Sequence, residues 1–116
     1  MSMSPYLKDT LIDRALAQTY ISLHAADPGA VGSNEITGAG YSRQPVVFSH
    51  SVDGVASNME ELIFVRLPAG RFNYAGLWDA PMGGNFLWGA WLGETQEVRA
   101  GDSFVIDAGI LITKMQ

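Results

Sequence analysis

Asp79 lies in "GLWDAPMGGN", residues 76–85, a carboxylate between tryptophan-bearing stretches and the first place to look for chemistry. Strand alternation puts Phe72, Tyr74, Gly76 and Trp78 on one face and Asn73, Ala75, Leu77 and Asp79 on the other. Asp79 then falls where the strand turns, and its carboxylate is expected to accept backbone N–H groups of the Pro-Met-Gly-Gly connection as an Asx-type turn. A general acid or base would need a second titratable group, and no spacing nominates one. Serines are plentiful, yet no G-x-S-x-G elbow occurs, and Gly38-Ala39-Gly40 opens neither a G-x-G-x-x-G nor a G-K-[ST] series. No catalytic residue is assigned, and the chain is read as a non-enzyme.

His24 and His50 are too few for a metal cluster of any named spacing. Asp27, Glu35 and Asp53 could offer oxygens to calcium, but the D-x-[DN]-x-[DN]-G series is missing and they read as turn formers. No metal and no cofactor is expected. Among the aromatics, alternation groups Trp88 with Phe86, Ala90 and Leu92 as core. Trp91 points the other way, with Leu87 and Gly89, toward a partner or ligand.

These residues need a frame. The 116-residue chain suits one domain, residues 1–116, and is 47% hydrophobic and only 16% charged, too apolar for disorder. A net charge of −5 opposes phosphate backbones and anionic lipids, so nucleic-acid binding is not expected. Without cysteine the fold rests on packing and hydrogen bonds alone. The first residues lack the pattern of a signal peptide, and no apolar run reaches the ~20 residues that span a bilayer, so no membrane insertion is expected.

Ser4-Pro5 starts a helix over 5–17, with Leu7, Leu11, Ala15 and Leu16 as its apolar stripe. That stripe must be covered by the sheet, a neighbouring subunit or a lipid surface. Strands follow at Thr19–His24, at "RQPVVFSH" with Pro45 at an edge, a strand start or a bulge, and at "ELIFVRL" with Phe64 inward. "RFNYAGLWD" and "NFLWGAWL" form a hairpin; "DSFVID" and "GILITKM" close the chain. Asp53-Gly54 is a turn. Residues 25–40 have no period and form a long contact loop opened by Asp27-Pro28-Gly29, whose removal is expected to spare the fold and abolish assembly with other subunits. The fold class predicted is all-β: an antiparallel sandwich of about seven strands with one short N-terminal helix.

Together, "ISLHAADPG" (21–29), Glu35, "GAGYSRQPVVF" (38–48), "GLWDAPMGGNFLWGAWL" (76–92), "VRAGD" (98–102) and "AGILI" (108–112) resemble a family of small bacteriophage virion proteins often labelled tail fibre or minor tail protein. The resemblance implies a structural virion component, made in the cytoplasm of the bacterial host, whose partners are major capsid or tail proteins and further copies of itself. It would decorate or stabilise the particle at the capsid or the tail. A carbohydrate-binding sandwich acting in host adsorption is the alternative, marked by a solvent-exposed tryptophan. The expected contact residues are Leu7 and Leu11 on the helix; Asp27 and Glu35 in the loop; Tyr41, Arg43 and Gln44 at its exit; and Trp91. Arg43 is the polar anchor, because a guanidinium pairs bidentately with a carboxylate or with carbonyls.

Overall fold

The computed structural model describes residues 3–114, so the Met115 end of the last expected strand lies outside the described residues. Helix α1, Pro5–Ala15, begins as expected: the Ser4 hydroxyl accepts the Leu7 N–H at 3.2 Å and Pro5 occupies the first turn. It stops two residues short of Ala17, because Leu16 caps it and the chain must turn into the first strand. Its inward face also differs from the expected stripe. Ile12 and Leu16 are buried, while Leu7 and Leu11 are 42% and 41% exposed. The cause is polar. Asp9 and Asp13 share the face of Ile12 and Leu16, where the Asp9 carboxylate accepts the Ser51 hydroxyl and Gly54 N–H and the Asp13 carboxylate accepts the Ser51 N–H. Those hydrogen bonds hold the Asp9 carboxyl below its usual range, the Gly54 N–H most of all.

Among the described residues there are eight strands: β1 Thr19–His24, β2 Gln44–Val46, β3 Val55–Ser57, β4 Leu62–Phe64, β5 Gly70–Trp78, β6 Phe86–Val98, β7 Phe104–Ile106 and β8 Ile112–Lys114. The protein is mostly β, in antiparallel ladders, with a single short helix near its N-terminus. A four-stranded sheet in the order β2-β1-β5-β6 faces two ladders, β3 with β8 and β4 with β7. One hydrophobic core joins α1, the sheet and both ladders through Ile12, Ile21, Leu23, Ala56, Phe64, Leu77 and Ile106. Phe64 is buried as expected, with Ile63 and Val65 outside.

Strand β3 was not expected. It follows the Asp53-Gly54 turn, where positive φ at both residues (53° and 80°) and reciprocal Val52–Val55 hydrogen bonds make a type I′ hairpin. The expected "RQPVVFSH" strand contracts to three residues, and β6 runs six beyond Leu92. Two register shifts also redistribute side chains between the faces of the β5–β6 hairpin, which alternation could not show. One, between Phe72 and Tyr74, lets Phe72 join Ala75 and Leu77 in the core. The other, at Leu77/Trp78, carries Phe86 away from Trp88 and sets its ring edge-on to Trp78 and His24.

The loop of residues 25–40 is not a projecting arm. It folds back over the sheet, bridging Glu35 to His24, with the Ala25 N–H donating to the Asn34 carbonyl and the Ile36 N–H to the Leu23 carbonyl. Pro28 is fully buried, and Ile36 packs on the core. A Cβ on Gly32 would stand 2.4 Å from the Trp78 ring, so only glycine lets the backbone lie this close.

Candidate functional site

Of the residues expected to contact partners, Glu35, Tyr41 and Arg43 come together. The Arg43 guanidinium grips Glu35 with two bonds of 2.9 Å, from Nε to Oε2 and from Nη2 to Oε1. Its Nη1 donates to the Ala80 and Gly83 carbonyls at 3.0 and 2.9 Å, and its Cζ lies 3.8 Å above the Trp78 ring. The Tyr41 hydroxyl donates to Glu35 Oε2 at 2.8 Å and accepts the Leu23 N–H at 3.1 Å. Arg43 does find a carboxylate and carbonyls, but all belong to its own chain, and the side chain is only 8% exposed. The cluster therefore clasps the long loop to the β5–β6 turn. Burial pushes the Glu35 carboxyl up, but the bonds from Arg43 and Tyr41 outweigh it and hold the group below its usual value. Burial also raises the Tyr41 phenol, which stays protonated and donating.

Next to the clasp runs a second chain that sequence reasoning missed. The Trp78 Nε1–H donates to Ser22 Oγ at 2.8 Å, Ser22 Oγ lies 2.6 Å from His24 Nε2, and His24 Nδ1 donates to the Ser33 carbonyl at 2.7 Å. Because a carbonyl only accepts, Nδ1 carries the proton and neutral Nε2 accepts from the Ser22 hydroxyl. The available signal was period two in "ISLH": Ser22 and His24 share the face opposite Ile21 and Leu23. Burial holds the His24 imidazole below its usual value, against the Ser33 carbonyl and the Glu35 carboxylate. Ser22 and His24 are wholly inaccessible, and a Cβ on Gly76 would lie 2.6 Å from both. The pair thus has the atoms of a hydrolytic dyad but no path to a substrate; its geometry is that of a cross-strand tie.

Asp79 ends β5 as expected, its carboxylate accepting the Asn85 N–H at 2.7 Å and the Asn85 amide at 2.8 Å, which together keep it below the usual range. The acceptance is from Asn85, at the far end of the Pro-Met-Gly-Gly connection. Asp27 closes its own turn on the Gly29 N–H, and the Gln44 amide donates to Ser42. Buried Asn58, also missed, accepts the Leu111 N–H and donates to the Glu60 and Asp107 carbonyls, pinning the C-terminal segment.

The remaining expected contacts are apolar and open. Trp91 is 55% exposed, with Tyr74 edge-on at 5.4 Å. It borders a groove of about 430 Å³ between Ala90–Leu92 of β6, β7 and residues 107–112. A second cavity of about 260 Å³ adjoins it through Ala90, Leu111 and Ile112. Val105, Ile110 and Ile112 are exposed along the groove, and Asp107 is its one charged lining residue. On α1, Leu7 and Leu11 form a separate open stripe. Such surfaces suit contact with protein rather than turnover.

Among the described residues no helix is long and apolar enough to cross a membrane. No curated protein sequence matches the chain. A family described as podophage GP4 fiber I protein gp80 matches residues 2–114, virtually the whole chain. With open apolar surfaces on a β body and a match of that extent, the chain belongs to this phage fibre protein family.

Proposed function

We propose that the chain is a non-enzymatic structural subunit of the phage particle, associated with its tail fibres and held there by complementary protein surfaces. The observation that carries this reading is a division of labour in the surface: polar clusters close on themselves, whereas Trp91, Val105, Ile110, Leu7 and Leu11 are left open. The family's fibre description supports a place at the tail over a place on the capsid. The test is made on purified particles. Antibody-gold against the chain should label the tail fibres, and particles made without its gene should lack both label and chain. Label over the capsid surface, or a chain absent from washed particles, defeats the proposal.

A carbohydrate-binding role in host adsorption is the second reading, favoured by the exposure of Trp91 beside Tyr74. Sugar sites combine an aromatic platform with several convergent polar groups, and this groove offers only Asp107. Titration with oligosaccharides from the host surface decides it: saturable quenching that is lost in Trp91→Ala would favour the sugar site over a protein contact.

A further inference from the structure

The clasp on Glu35 closes on itself almost completely. A guanidinium carries five N–H donors in one plane, and four of those of Arg43 go to Glu35 Oε1 and Oε2 and to the Ala80 and Gly83 carbonyls. The fifth, on Nη2, meets no acceptor among the described residues. Because Nη2 gives its other proton to Glu35 Oε1, the free N–H lies beside that oxygen. Oε1 in turn accepts only this one bond, whereas Oε2 takes both the Tyr41 hydroxyl and Arg43 Nε. One donor and one acceptor are therefore left side by side on groups that are already fixed, with Arg43 buried over the Trp78 ring and Tyr41 held by the Leu23 N–H.

This pair borders a pocket of about 390 Å³ between residues 35–38, residues 41–43 and the turn 81–83, within the ~300–1,000 Å³ of small-molecule sites. Ile36, Pro81 and Met82 line it with apolar surface, and Thr37 and Ser42 bring two exposed hydroxyl groups. An oxygen seated at the pair must accept from Nη2 and donate to Oε1. A carboxylate or phosphate only accepts and would face the Glu35 charge; an ammonium only donates and would face the guanidinium. A hydroxyl does both. We infer that the pocket binds a neutral sugar residue, one hydroxyl of which bridges Arg43 Nη2 and Glu35 Oε1 while its C–H face lies against Pro81 and Met82. Fixed partners lose little freedom on binding, so the small contact still yields a Kd of about 1–10 mM for a single ring.

The site is separate from Trp91, and it rests on the clasp alone, so its failure leaves the place of the chain in the particle to be judged by the labelling of particles. The test is a titration of the ¹⁵N-labelled full chain with the methyl glycosides of glucose, galactose, mannose and rhamnose, one at a time. At least one should give saturable shifts of the Arg43 Nε–H and of the Thr37 and Gly83 amides, leaving the Trp91 Nε1–H unmoved. The matching uronic acid, with a carboxylate on the same ring, should bind more weakly. Thr37→Trp, which fills the rim from an exposed position and leaves every bond of the clasp in place, should abolish the shifts at an unchanged melting temperature. Met82→Ala, also exposed, should weaken them and serves in place of Thr37→Trp should that variant lose its fold. A pocket that holds only water gives no saturable shift with any of the four at roughly tenfold higher concentration, and that result overturns the inference. So do shifts confined to Trp91, equal binding of the uronic acid, or binding that survives the rim variant undiminished.

Discussion

Taking the guanidinium from Arg43 would leave the half-buried Glu35 carboxylate without its bidentate partner and the Ala80 and Gly83 carbonyls without a donor. Removing one member of a buried pair costs about 3–5 kcal/mol, because the other charge stays behind unpaired. Arg43→Ala is expected to lose that much in urea unfolding, and a loss below about 1 kcal/mol would show that the clasp is not a structural element. His24 makes a different prediction. Its folded-state value lies below its ordinary 6.5, burial being the main cause, so the unfolded chain takes up the proton first as pH falls. Its contribution is complete above pH ~6.5 and declines below it, before the lowered carboxyls Glu35, Asp9 and Asp79 begin to be protonated. The melting temperature should therefore fall from pH 7 to pH 5, and His24→Gln, less stable throughout, should flatten that slope. A wild-type melting temperature constant over the interval would contradict a buried neutral imidazole.

Elements whose cause is local were legible in the sequence. Ser4-Pro5 starts a helix because its first N–H groups need an acceptor, and Asp53-Gly54 makes a turn because both residues tolerate positive φ, although the short strand β3 that follows it was not foreseen. What depends on distant partners was not. Asp9 and Asp13 look like solvent-facing charges until residues 51–54 arrive to donate to them, and this turns Ile12 inward with Leu16 while Leu7 and Leu11 of the expected stripe stay open. The register shifts in the β5–β6 hairpin exchange faces for Phe72 and Phe86, although Trp91 remains outside as its alternation predicts. Of the candidate site, Glu35, Tyr41 and Arg43 were found by residue type, but that they meet one another follows only from the loop's return over the sheet. That return changes the expectation for residues 25–40. A short Gly-Ser link would remove Pro28 from the interior, the Ser33 acceptor from His24 and Glu35 from Arg43, and it is expected to abolish cooperative melting by circular dichroism. A shortened chain that melts cooperatively near the wild-type temperature would show that the loop is dispensable to the fold.

For the whole molecule, one core reaches from α1 through every layer, and Asn58 and the Asp9 contacts tie the small ladder and the helix into it. No part has a separate interior to retain when the rest is lost. Thermal unfolding is expected to be a single transition, with calorimetric and van't Hoff enthalpies equal at concentrations where the chain is monomeric. Two resolved transitions would mean that the helix or a ladder melts independently. The three tryptophans occupy three surroundings in this one body: Trp78 buried beneath a guanidinium, Trp88 half-buried at the cavity wall, and Trp91 in the open. Their emission must therefore be heterogeneous. Iodide, which does not enter protein interiors, will quench Trp91 first, and whatever settles into the groove beside β6 will shield that indole while leaving the spectrum of Trp78 unchanged. The native chain thus carries two optical gauges without a label, one that follows occupancy at the rim and one that follows the integrity of the interior.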